Sequence, residues 1–152
     1  MARVFDSLDD FKAAAGEELG TSEWVTVTQE QINTFADATG DHQWIHVDPE
    51  RAATGPFGGT IAHGYLTLSL LPVLAAQIYA IEGLAFGMNY GANKVRFPAP
   101  VPVDSRLRAT ATLKETSEIA IGTQGVISFV VEREGGDKPA LVAEVVYVMA
   151  GA

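Results

Sequence analysis

Residues 61–81 constrain this chain most, because they are apolar almost without interruption and about long enough to cross a bilayer. His63, Gly64, Thr67, Ser69, Pro72 and Gln77 punctuate the run, and neither flank carries a cluster of Lys or Arg. A membrane span is therefore the poorer reading. A helix that is apolar all round is also what the centre of a globular fold needs, so the segment reads as a buried central helix. Its first turn falls near His63-Gly64. Pro72 should bend or break it, because proline has no N–H to give to the preceding turn.

After this helix the apolar period changes to two. Residues 84–97 read as a long strand loosened by Gly87 and Gly91, which suggest a bulge or a close backbone approach. The proline-rich run at 97–102 interrupts the pairing. Leu107, Ala109, Ala111 and Leu113 then alternate with Arg106, Arg108, Thr110, Thr112 and Lys114, giving one dry and one wet face. Two further strands, 123–132 and 140–149, are joined across Glu134-Gly135-Gly136-Asp137, so the last three strands form an antiparallel meander. One apolar helix followed by such strands implies an α+β fold with an antiparallel sheet wrapped around a long central helix. A sheet of this kind leaves edges that need cover, and a dimer that extends it would provide that cover.

The N-terminal half carries sharper local signals. A short strand at 24–28 leads into Thr28 and Gln31, spaced as a capping box, with Ile32, Phe35 and Ala36 on one apolar face. Thr39-Gly40 ends this helix. Residues 41–47 then form a loop, and Asp48-Pro49 opens another short helix with an aspartate cap and proline at the first position. A turn-rich link at 55–59 leads to the central helix.

With 152 residues and 47% apolar content, the chain is expected to form one domain, 1–152, burying about 70% of its unfolded surface. A net charge of −9 argues against nucleic-acid binding, which needs clustered cations. The absence of cysteine excludes disulfides, thiolate nucleophiles and sulfur-based zinc sites. The first residues, Met1-Ala2-Arg3-Val4-Phe5-Asp6, lack the apolar core of a secretion signal, so the cytoplasm is the expected compartment.

All three histidines fall between His42 and His63. Asp41 and His46 share a connection clamped between two helix ends, a common location for catalytic groups. A carboxylate beside an imidazole suits proton transfer near neutral pH. Gly64, at the start of the central helix, offers a backbone N–H to a carbonyl oxygen that gains charge, and its missing side chain allows close approach.

Each residue also has a plainer use. Asp41 could be a turn aspartate that binds nearby backbone, and His46 a hydrogen-bonded core histidine. His42 reads as a partly exposed loop residue, and His63 as one that orients the helix start without a catalytic role. A metal site from Asp41, His42, His46 and His63 is disfavoured because no pair has the spacing of a metal motif. Arg106 and Arg108 are explained by alternation, while Tyr65 and Tyr79 should line the core or a tunnel.

The run from Phe35 through Gly40-Asp41-His42-Gln43-Trp44-Ile45-His46, with Ala52 after it, resembles the signature of the MaoC-like, (R)-specific enoyl-CoA hydratases. Gln43-Trp44 replaces the usual Asn-Pro of that signature, a departure that resembles the NodN-like branch. Ile61-Ala62-His63-Gly64-Tyr65 is similar to the start of the family's central helix, and Asn93 to Val101 to its following strand. The resemblance implies a hot-dog fold, a homodimer with one continuous sheet, and syn hydration of trans-2-enoyl-CoA without metal or organic cofactor. It assigns water activation to Asp41 and His46 and the oxyanion N–H to Gly64. The acyl chain would lie beside the central helix, and Lys94 and Arg96 could meet the phosphates of CoA, unless they form only a solvated strand face. Thioester hydrolysis, or acyl-CoA binding without turnover, are the alternatives on the same architecture.

Overall fold

The computed structural model describes residues 1–152. Its main sheet contains β2 (Glu18–Thr21), β6 (Arg106–Ile119), β7 (Gly122–Arg133), β8 (Leu141–Gly151) and β5 (Leu84–Arg96), in that spatial order, with β3 (Val25–Thr26) also paired to β6. Every pairing in it is antiparallel, and β6, β7 and β8 form the expected meander. β1 (Arg3–Phe5) and β4 (Tyr79–Ile81) make a separate parallel pair. Sequence reading assigned no element to residues 1–23. There α1 (Leu8–Ala13) starts at Ser7, whose hydroxyl accepts the Asp10 N–H.

The central helix is broken. α5 (Gly64–Ser69) gives way at Leu70 to α6 (Leu71–Ile78), with Pro72 in the first turn of the second segment, where its missing N–H costs nothing. Leu71, Leu74, Ala75 and Ile78 recur at helical spacing and are buried on the inner face of the sheet. That face is built from Leu107, Leu113, Ile127, Phe129 and Leu141, and small residues at Ala109, Ala111 and Ala143 leave room for the helix.

One expectation needs correction, and the following strand adds a related finding. The helix is buried along one face only, since Tyr65, Pro72, Val73 and Ala76 are exposed. The strand after it, β5, is almost wholly exposed, including Phe86, Met88 and Tyr90, the last at 65%. Both follow from the sheet's position: a single sheet covers one side of the helix, and β5 pairs only with β8. Register shifts fall at Leu84/Phe86, Asn89/Gly91 and Ala92/Lys94, so Gly91 lies at an irregularity and Gly87 does not.

Candidate active site

The site is assembled where α2 (Gln29–Thr39) ends. Thr28 caps its start by accepting the Gln31 N–H, and Gly40 closes it at φ 87°, donating its own N–H to the Ala36 carbonyl. Residues 41–43 turn the chain, and Oδ1 of Asp41 accepts the Gln43 N–H at 3.3 Å. The expected loop then shortens, because Trp44–Val47 forms one helical turn, α3, with His46 buried on it. Asp48 ends α3 and caps α4 (Pro49–Ala53) by accepting the Arg51 N–H. Trp44 occupies the first position of α3. Its ring lies against Gly55, where an added Cβ would come within 3.0 Å of it, and beneath the Arg51 guanidinium, 4.3 Å from the ring centroid. The turn therefore forms without the usual Asn-Pro.

His46 is fixed at both ends. Nε2 of Gln29 donates to its carbonyl at 2.8 Å, and Oε1 of Gln29 in turn accepts the Thr60 hydroxyl. The ring Nδ1 lies 2.7 Å from the Ile61 carbonyl. A carbonyl only accepts, so Nδ1 carries the proton and Nε2 of the neutral ring keeps its lone pair. Burial pushes the pKa of His46 below its ordinary 6.5, the Ile61 carbonyl opposes this, nearby His63 adds to the lowering and Asp41 works against it.

His63 is buried and stands just before α5. Its ring stacks on that of His46, with centroids 3.9 Å apart and planes 24° from parallel. Nε2 of His63 donates to the Asp41 backbone carbonyl at 2.9 Å, and Phe35 packs against the same imidazole at 4.9 Å. Gly64 follows, and its N–H is among those a helix start leaves without an intrahelical partner. A Cβ on Gly64 would lie 3.1 Å from the Phe97 ring.

One carboxylate oxygen of Asp41 and one nitrogen each of His46 and His63 lie within 4.8 Å of one another. Two hydrogen bonds of about 2.8 Å to a bent water span roughly 4.5 Å, so one water can bridge Asp41 and a histidine. The same oxygen and two nitrogens could gather a divalent ion, a convergence invisible to motif spacing because the donors come from separate elements. Asp41, His46, His63, Gly64, Tyr65 and Phe97 line a cavity of about 540 Å³. A second cavity of about 340 Å³ shares His46, Gly64 and Phe97 and continues past Thr67 to Ala140.

The structure brings Asp41, His46 and Gly64 together but leaves Lys94 and Arg96 exposed on β5, lining neither cavity. His42 is exposed and pairs with Asp37 at 2.9 Å, which holds its pKa above the usual value. Tyr65 is a correction: it is 70% exposed, meeting Phe97 edge-on at 6.4 Å on the cavity rim. Tyr79 stacks on Phe11 away from the site. Arg106 and Arg108 pair with Glu134 and Glu132 beside Trp24. Gln29, Thr60 and the Ile61 carbonyl were missed. Gln29 and Thr60 look like ordinary helix-start and loop residues, and backbone carbonyls have no residue-type signature.

Residues 10–135 match the family profile described as the MaoC like domain. The chain belongs to the MaoC-like family. Over 143 residues it is 62% identical to 3-hydroxyacyl-thioester dehydratase Z of Mycobacterium tuberculosis (strain ATCC 25618 / H37Rv), covering 93% of this chain and 95% of that protein. It is 48% identical to nodulation protein N of Rhizobium leguminosarum bv. viciae, covering 90% and 87%. Its MaoC-like fold superposes on unliganded R-hydratase PhaJ1 from Pseudomonas aeruginosa with a TM-score of 0.73 at 21% identity, covering 91% and 83%. The (R)-hydratase from A. caviae involved in PHA biosynthesis gives 0.69 at 25% identity, covering 87% and 96%. The chain is thus a hot-dog dehydratase of the MaoC type in its NodN-like branch, a hydro-lyase. No helix is long and apolar enough to cross a membrane.

The depressed pKa of His46 sets a pH dependence for this MaoC-type site. The neutral ring persists below pH 6.5, so if His46 serves as a base the acid limb of a kcat/KM profile is expected below 6.5. Stability follows the same sign. As pH falls below about 6.5 the unfolded chain binds a proton that the folded His46 resists, so stability drops. A limb above 6.5 in the activity profile would contradict a buried His46 base.

Proposed function

We propose that this dehydratase runs the reversible syn addition of water to trans-2-enoyl-CoA, giving (R)-3-hydroxyacyl-CoA. The observation that carries the reading is the meeting, around one cavity, of a carboxylate, an imidazole with a free lone pair and a helix-start amide. Nε2 of His46 removes one proton from a water that Asp41 orients through its other hydrogen. The oxygen bonds to C3, and the double-bond electrons move through C2 to the thioester oxygen, which the Gly64 N–H stabilises. The enolate then collapses as C2 takes a proton from the Asp41–His46 pair on the same face. Dehydration is this path reversed.

Two apolar hollows between α6 and the β5–β8 pair, of about 400 and 450 Å³, share Pro72 and Tyr147 and offer room for an acyl chain. Lys94 and Arg96 are cations suited to the phosphates of CoA. The open edge of β5, with Phe86, Met88 and Tyr90 exposed, supports a homodimer whose sheet runs through that edge. The cytoplasm, where CoA thioesters are used, is the compartment this reading implies.

The test is a stereochemical product assay on trans-2-butenoyl- through trans-2-dodecenoyl-CoA. The expected result is loss of enoyl absorbance with (R)-3-hydroxyacyl-CoA as product and no free thiol, from a species of twice the 16.1 kDa chain mass. Thiol release would replace hydration with hydrolysis. Thermal stabilisation by the thioester without either product would make the chain a binding subunit.

A further inference from the structure

We infer that His63 is the positioning residue of the site, holding Asp41 and His46 in register with the Gly64 amide; this rests on the hydratase reading above. Four features of this residue, three of its imidazole and one of its backbone, support it. Nε2 of His63 donates to the Asp41 carbonyl at 2.9 Å, a bond that joins residues 22 apart in the chain. The ring stacks on His46 at 3.9 Å, so the side chain that anchors the acid also forms a wall for the base. The His63 carbonyl accepts the N–H groups of Leu66 and Thr67, which fixes the first turn of α5 and with it the orientation of the Gly64 N–H. Finally, the residue is only 3% exposed, yet its Nδ1 has no hydrogen-bond partner.

This last feature separates a positioning role from plain packing. A buried acceptor left unpaired destabilises the fold, and an apolar side chain would avoid that cost while filling the space against Phe35. What an apolar side chain cannot supply is the Nε2–H that holds Asp41. Asp41 is itself exposed, at the end of a helix, and its carboxylate is tied only to the nearby Gln43 N–H. Its placement toward His46 therefore depends on the backbone anchor from His63. Outer-shell partners of this kind typically change activity by 10–100-fold when removed, a magnitude taken from metal sites.

The experiment compares His63→Leu, His63→Phe and His63→Gln with Asp41→Asn on the enoyl-CoA that the parent protein hydrates best. Leu removes both ring and donor, Phe keeps the ring without the donor, and Gln keeps an N–H near the Nε2 position. The expected result is a kcat lowered by about 10–100-fold in Leu and Phe, with KM within about threefold of the parent, and recovery of most of the loss in Gln. If Leu fails to fold, the contrast between Phe and Gln decides. Full kcat in Phe or Leu beside an inactive Asp41→Asn would overturn the positioning role and leave the hydratase reading intact. A loss in Gln equal to that in Leu, or a fall in melting temperature that accounts for the lost activity, would reduce His63 to a structural residue. Full activity in Asp41→Asn would sink both readings.

Discussion

Asp41→Asn and His46→Gln are each expected to lower hydration turnover by about 100- to 10,000-fold with little change in KM, because under the proposed mechanism each removes a proton-transfer group and neither supplies bulk substrate contact. Their effects on stability should differ. Asp41 is exposed, and an asparagine oxygen can still accept the Gln43 N–H, so unfolding free energy should move by no more than about 0.5 kcal/mol. His46 is buried, and its loss leaves the Ile61 carbonyl without a donor, so that variant should lose about 1–3 kcal/mol. Kinetics and thermal melts on the same preparations separate the two effects. Parental turnover in a folded Asp41→Asn would remove the carboxylate from the mechanism, whatever the histidine does.

Where a feature is set by neighbours in the chain, the sequence is a good guide. Thr28 at the start of α2, Gly40 at its end and Asp48-Pro49 at the start of α4 act through bonds three or four residues away, and all three appear where expected. The alternation from Leu107 to Leu113 likewise survives, because strand geometry alone sends those side chains to one face. Legibility ends where an outcome depends on what packs against an element. β5 reads as an ordinary strand, yet its lack of a neighbour on one edge leaves Phe86, Met88 and Tyr90 in solvent. The central helix reads as buried all round, yet only one side has a sheet.

The site divides in the same way. Asp41 and His46 are five residues apart on one short connection, so their proximity can be inferred from the chain. The contact of His63 with Asp41 depends instead on the segment at 60–62 being clamped from both sides. The Ile61 N–H donates to Ile45 and the Ala62 N–H to Val101, while Thr60 accepts from Val103. No local pattern announces such a clamp. It explains why His63 reads from sequence as a residue that only orients a helix, although it touches both Asp41 and His46.

Gly64→Pro should lower kcat by about 100- to 1,000-fold, the usual loss when one oxyanion donor is removed. Proline suits this test because the backbone already accepts it. Gly64 is the first residue of α5, where proline is favoured and no intrahelical bond depends on the N–H. His63, at φ −60° and ψ 138°, already has the extended conformation required before proline. The nearest atoms to a new Cβ belong to the Phe97 ring, 3.1 Å away, and that ring is partly exposed and able to move. Gly64→Ala carries the same Cβ and keeps the N–H, so it should lose no more than about tenfold, and the gap between the two variants isolates the hydrogen bond. Equal rates for proline and alanine would mean that the charge on the thioester oxygen is stabilised elsewhere, and that glycine is needed here only to make room for Phe97.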